Sequence, residues 1–231
     1  MTTMPLSLAT SAVPRSGIDP FSVRLRNATS TAHTDAEGAR YIHRLLAGEL
    51  TQQEFALLSA QHLYIYRALE LVGRELATDP LAGPFVDERL ERVASLEVDL
   101  AYFHGHGWRD VVSPLPATAA YVQRLLGLMN DPVRFIAHHY VRYLGDLSGG
   151  RALGRIVART HDLREGQPGL LFYHFDQISA PKPYKDAYRR LLNEANLRPS
   201  DQQDLIAEAV AAFELNAAVF ADLDAALSSA N

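Results

Sequence analysis

Cysteine is absent from all 231 residues. That excludes disulfides, iron–sulfur clusters, cysteine-based zinc sites and any thiolate-ligated metal. It fits a cytoplasmic protein, since reducing compartments do not reward disulfides. A surplus of positive charge is also missing. The formal net charge is −5, which excludes the basic surfaces that nucleic acid or a polybasic membrane contact would need. No apolar run approaches the roughly 18 residues of a membrane span. The opening MTTMPLSLATSAVPRSG has no basic start and no long apolar centre, so it is a poor export signal. Its Ser, Thr, Pro and Ala content predicts a flexible lead-in over 1–18. Sustained strand alternation and internal repeats are missing too.

What is present is helical periodicity. Asp19-Pro20 is a capping residue followed by proline at the first helical position. Behind it Phe21, Leu25, Ala28, Ala32 and Ala36 recur at helical spacing, and Gly38 closes the segment. A short helix over 39–47 stops at Gly48. Thr51-Gln52-Gln53-Glu54 is a capping box with Leu50 and Phe55 as a hydrophobic staple, opening a helix to about Ala77. Further helices are expected over 85–103, 117–129, from Asn130-Asp131-Pro132 to about His161, over 183–195, and from a second capping box at Ser200-Asp201-Gln202-Gln203 to about Leu227. The stretches 104–116 and 167–176 read as irregular, the second with room for one helical turn. With 48% hydrophobic and 21% charged residues, the chain fits one all-α domain over 19–231.

One helix carries an anomaly. RYLGDLSGGRALG places Gly145, Gly149, Gly150 and Gly154 inside a helical pattern. Each interior glycine costs about 1 kcal/mol relative to alanine. Gly145 and Gly149 share a face, which would suit close helix packing. A membrane dimer interface is excluded by Arg142, Asp146, Arg151 and Arg155 on the same helix. Four glycines with Ser148 are more than packing needs. They predict a kinked helix with a bare backbone face on which something broad and planar could lie. Arg142 and Asp146, four apart, would put a polar pair beside it.

YVRYLGDLSGG (140–150) resembles the signature of the biliverdin-producing heme oxygenases. The resemblance runs over nearly the whole chain from Asp19. It includes LRNATSTAHTDAEG, HLYIYRALE, YKDAYRR and AFELNAAVF, in the same order and spacing. The first eighteen residues and the C-terminal membrane tail of the animal enzymes are outside it. It implies an all-helical domain that holds heme b, both cofactor and substrate, between an N-terminal proximal helix and the kinked glycine-rich helix.

A helical heme protein without cysteine most naturally offers histidine to the iron. Of nine histidines, His33 stands at the border of the first apolar stripe. Glu37, four residues on, shares its face, and an acid there can orient a ligating ring. Arg26, His33 and Glu37 read equally as a solvated stripe. The resemblance makes His33 the iron ligand and Glu37 its acidic neighbour. It also implies propionate partners: Arg26, standing where animal relatives carry lysine, with Lys185 and Arg189 at i, i+4, and Tyr140. Phe213, Asn216 and Phe220 match pocket-lining positions. Gly145, Gly149 and Gly150 would lie against the macrocycle.

The reaction the resemblance implies cleaves heme to biliverdin, carbon monoxide and ferrous iron with O2 and external electrons. It requires a close distal wall without a strong side-chain acid. The glycines meet the first need. No histidine lies in the motif, and Asp146, with Tyr66 and Arg142, would hold water that delivers protons. The motif favours the alpha-meso carbon. A ferredoxin or flavodoxin with its reductase is the expected electron donor, with Arg151, Arg155 and Arg159 as a basic surface for it. Two alternatives stay open: a heme carrier that has lost turnover, and a cofactor-free bundle whose glycines serve packing.

Overall fold

The computed structural model describes residues 19–229; the expected lead-in over 1–18 lies outside them. Every regular element among the described residues is helical. In chain order these are α1 (Phe21–Ala28), α2 (Ser30–Glu37), α3 (Arg40–Ala47), α4 (Gln52–Glu75), α5 (Val93–His104), α6 (Trp108–Val111) and α7 (Pro116–Leu126). Then come α8 (Pro132–Gly145), a single π turn (Asp146–Gly150), α9 (Arg151–Thr160), α10 (Pro181–Glu194) and α11 (Pro199–Ser229).

α4 is the central post. Its capping box forms as expected: Thr51 Oγ1 accepts the Glu54 N–H at 3.2 Å, and Glu54 accepts the Thr51 N–H at 2.7 Å. Leu50 and Phe55 are both buried. From there on α4 buries residues nearly all the way round, including Leu58, Leu63, Ile65, Tyr66, Leu69 and Val72. A helix covered on every side has to be surrounded, and α5, α7, α8 and α11 all pack on it. α11 is the second organiser. It lies against α8, α2, α3 and α7, so one helix joins the N-terminal elements to the glycine-bearing one.

Four expected boundaries move. The first long helix breaks at Thr29, where the hydroxyl donates to the Leu25 carbonyl at 2.9 Å, a side-chain bond that bends helices. The helix expected over 85–103 starts only at Val93, after two 3₁₀ turns. Its start is set from outside, because Glu70 of α4 accepts the Arg92 and Val93 N–H groups at 2.6 and 3.0 Å. The loop 104–116 contains the short α6, pinned by the buried Trp108. α11 begins at Pro199 rather than after Ser200. There the carboxylate of Asp201 accepts the Arg198 N–H at 3.0 Å, and the Ser200–Gln203 pair forms no capping box.

Beneath the α8–α11 seam lies a buried ion cluster. Glu208 meets His138 Nε2 at 2.8 Å and Arg124 Nε at 2.7 Å, and His138 Nδ1 faces the Tyr121 hydroxyl at 3.2 Å. Burial pushes the Glu208 carboxyl up, but the hydrogen bonds from His138 and Arg124 outweigh it and hold the group down at about 2. A folded-state value below the ordinary 4.5 means stabilisation that is complete above that value and disappears as the pH falls toward 2. Glu208→Gln should therefore cost roughly 3 kcal/mol at pH 7. The gap between variant and wild type in urea denaturation should shrink below pH 4.5 and close near pH 2. A gap that stays constant with pH would show that the charge contributes nothing.

Candidate functional site

The glycine-rich run resolves into two faces. A Cβ built on Gly145 or Gly149 meets nothing within 4 Å, so these two glycines look into open space. Gly150 and Gly154 look inward. A Cβ on Gly154 would stand 2.8 Å from Tyr173 Cβ, and one on Gly150 3.6 Å from the Tyr173 ring. Packing therefore explains Gly154. Gly150, expected beside Gly149 on the open face, is buried against Tyr173 instead. The expected kink is a π turn, the one-residue register error that redirects a helix without breaking it. It turns Asp146 inward while leaving bare backbone outside.

The inward side holds a buried polar array drawn from three helices. Tyr66 of α4 donates a short hydrogen bond to the Asp146 carboxylate. Arg142 Nε donates to the Tyr66 oxygen at 3.3 Å, and its guanidinium lies 4.8 Å from the Tyr66 ring centre. Arg142 Nη1 donates to Asn216 Oδ1 of α11 at 2.6 Å, and Asn216 Nδ2 donates to the Ala212 carbonyl at 2.9 Å, which fixes the amide's orientation. Nη2 of Arg142 is buried without a partner. Such a donor represents an unmet hydrogen bond aimed at whatever occupies the neighbouring space. Burial raises the Asp146 carboxyl above its ordinary value, against the opposing pull of Arg142 and Tyr66. Burial likewise keeps the Tyr66 phenol far from ionisation. Asn216, expected among the pocket-lining residues, is buried and bonds to Arg142.

Across α11 stands His33 on α2. Its ring meets Phe213 edge-on, with centres 5.3 Å apart, and its Nδ1 lies 3.4 Å from Glu37. The side chain remains 49% exposed. Phe213 and Asn216 are three apart and so share a face of α11. Phe213 packs on His33 while Asn216 bonds Arg142, so one turn of α11 touches both side chains. Phe220, one turn further on, stacks on Tyr41 of α3 at 6.5 Å, a packing contact beneath the site.

The expected cations collect at one rim. Arg26 is exposed on α1, and with Arg189 of α10 it opposes the rise that burial imposes on the Tyr140 phenol. Lys185 Nζ donates to Ser148 Oγ of the π turn at 2.9 Å, and Arg189 pairs with Asp186 at 2.8 Å. Partial burial, then Arg189, pushes the Lys185 ammonium down. Cations gathered round a phenol with one weak counter-charge suit an anionic guest. Ser148 and the Tyr173 floor were not visible as site residues in the sequence. The excess of glycines over what one open face needs was the only hint of Tyr173.

This arrangement has known counterparts. A family model described as Heme oxygenase matches residues 19–222. Human heme oxygenase 1 is 36% identical over 217 residues, covering 93% of this chain and 75% of the relative. Heme oxygenase 1 of Nostoc sp. is 36% identical over 208 residues, covering 90% of this chain and 87% of its own length. Among solved structures, heme oxygenase-2 from Synechocystis sp. in complex with heme and NO superposes with a TM-score of 0.86 at 34% identity, covering 91% of this chain and 88% of that one. Heme oxygenase-1 from the same organism in complex with heme also gives 0.86, at 31% identity and 91% and 95% coverage.

The two glycine faces make opposite predictions. Gly149→Ala meets no neighbour and should leave thermal stability unchanged or raise it by up to about 1 kcal/mol. Gly154→Ala collides with Tyr173 and should lower stability by roughly 1–3 kcal/mol. Thermal denaturation of both variants checks the assignment.

Proposed function

The chain belongs to the heme oxygenase family, and from that premise we infer which of its residues hold heme and work on it. The reaction is oxidative degradation of heme to biliverdin, carbon monoxide and ferrous iron, with O2 and external electrons. Heme supplies the redox iron and is itself the molecule cleaved. The observation that carries the site assignment is the pair Gly145 and Gly149, open to free space beside a buried Tyr66–Asp146–Arg142 array.

On this reading His33 Nε2 is the iron ligand. Phe213 holds the ring at its edge, and Glu37 beside Nδ1 orients it. The backbone at Gly145 and Gly149 forms the distal wall, close enough that no side chain stands between it and the substrate. Asp146 holds and passes protons through water, with its carboxylate positioned by Tyr66 and the charge balanced by Arg142. Arg142 Nη2, unpartnered in its buried position, is the donor available to that water. Arg26, Tyr140, Lys185 and Arg189 receive the propionates, and the near-intact motif directs cleavage to the alpha-meso carbon. A heme carrier would have no use for such an array beside a bare backbone.

The electron donor is proposed to be a ferredoxin or flavodoxin with its reductase. Arg151, Arg155 and Arg159 are exposed on α9 immediately after the π turn and offer a basic surface to an acidic protein. The placement proposed is cytoplasmic; no described helix is long and apolar enough to cross a membrane. Residues 19–231 are taken as one functional domain.

Reconstitution with ferric heme, followed by reductant and air, should give a histidine-ligated spectrum that decays to biliverdin with release of carbon monoxide. His33→Ala should abolish that ligation signature, and an unchanged ferric spectrum would refute the ligand role. Asp146→Ala should still bind heme but form biliverdin at least about tenfold more slowly. Turnover at the wild-type rate would remove Asp146 from proton delivery.

A further inference from the structure

Between α9 and α10 the chain has only one turn of 3₁₀ helix, Leu171–Tyr173. The segment is nevertheless buried at Leu170, Phe172, Tyr173 and Phe175. Two side chains from before and within α5 hold its backbone. Asp99, 1% exposed, accepts the N–H groups of Gly169 at 2.7 Å and Leu171 at 3.0 Å on Oδ1, and that of Phe172 at 2.8 Å on Oδ2. Arg92 donates to the His174 carbonyl at 2.8 Å and lies 3.9 Å from the centre of the Phe175 ring. Its own N–H is held by Glu70, one helical turn beyond Tyr66 on α4.

The clamped segment delivers two rings to the underside of the distal wall. Phe172 meets Tyr66 at 5.4 Å and His62 at 5.0 Å. Tyr173 fills the groove that Gly154 leaves open and meets Gly150 on the π turn. The rings therefore touch the hydroxyl-bearing residue that bonds Asp146 and the turn that carries Gly149. Close-packed interiors transmit displacements rather than absorb them.

We propose that Asp99 is a positioning residue for heme cleavage: by fixing the 169–173 backbone it sets where Phe172 and Tyr173 stand, and through them the height of the π turn and of Tyr66 over the substrate. This rests on the reading of the Tyr66–Asp146 face as the distal wall. A purely stabilising anchor is the competing role, and the variants below separate the two. Burial drives the Asp99 carboxyl up to about 6 in spite of three backbone hydrogen bonds. What the carboxylate provides is geometry, three acceptor directions from one rigid group.

Asp99→Asn tests this in the heme-reconstituted protein. The carboxamide keeps one acceptor oxygen and sets an NH2 group against the N–H on its other side. Heme affinity and the ferric spectrum should stay at wild-type values, because His33 is untouched. The turnover number should fall by about fivefold or more, the scale expected for a sub-ångström misplacement, and the biliverdin should become a mixture of meso isomers. Gly154→Ala pushes Tyr173 from the opposite side and should produce the same mixture, which keeps the test decisive if Asp99→Asn does not fold. Wild-type turnover and isomer composition in whichever variants fold, with only lowered thermal stability, would overturn the positioning role. Asp146→Ala in the same assay separates the two readings. If it too turns over normally, the distal-wall assignment falls; if it is impaired while Asp99→Asn and Gly154→Ala are not, only the clamp falls.

Discussion

Arg142 carries a permanent charge into a position that is 7% exposed, and such a charge is tolerable only when partners come to it. They come from three helices. Tyr66 of α4 accepts from Nε, Asn216 of α11 accepts from Nη1, and the Asp146 charge lies on the adjoining π turn. Each partner is therefore fixed by the same buried cation. α4 has to be central so that Tyr66 reaches it, and α11 has to run along α8 so that Asn216 does. The register of three helices and the orientation of the site's polar groups are one constraint.

The same constraint accounts for the cost carried by the glycine-rich helix. A regular α-helix through 146–150 would leave Asp146 and Gly149 at ordinary spacing. One π turn widens it, sending Asp146 toward Tyr66 while Gly145 and Gly149 keep an uncovered face. About 1 kcal/mol of helix propensity is lost at each glycine. Contacts on the inner side offset part of that loss: Tyr173 packs into the space at Gly154, and Gly150 is buried against the same ring. An open face and a packed one thus divide the four glycines between them. The buried Glu208–His138 pair, one turn from Arg142 along α8, gives the α8–α11 seam a second anchor, so the seam does not depend on Arg142 alone.

Much of this was legible in local sequence. The helices, the Thr51 capping box, the stop at Gly48 and the chain order of the elements follow from periodicity and capping, which act within four or five residues. Gly145, Gly149, Arg142 and Asp146 stand out by their spacing on a helix, whereas His33 and Glu37 read equally as a solvated stripe and are singled out only by the family resemblance. The departures have separate causes. The start of α5 is decided by Glu70, twenty-two residues earlier. The first helix bends where a threonine hydroxyl finds a carbonyl rather than where propensity falls. Gly150 reads like Gly149 in sequence, yet the π turn puts them on different faces.

By itself, the sequence determined that the protein is helical, has no thiol chemistry, and carries a bare-backbone motif beside a polar pair. It also carries the motif and the order of elements on which the resemblance to the heme oxygenases rests, since both are sequence properties. Only the tertiary structure decided that Asn216 holds Arg142, that Phe213 meets His33 from the same turn of α11, and that Asp99 accepts the backbone N–H groups of a segment seventy residues away. Those facts depend on distances between elements. Buried charges and close packing set such distances, and both are properties of the assembled core that no local window of sequence contains.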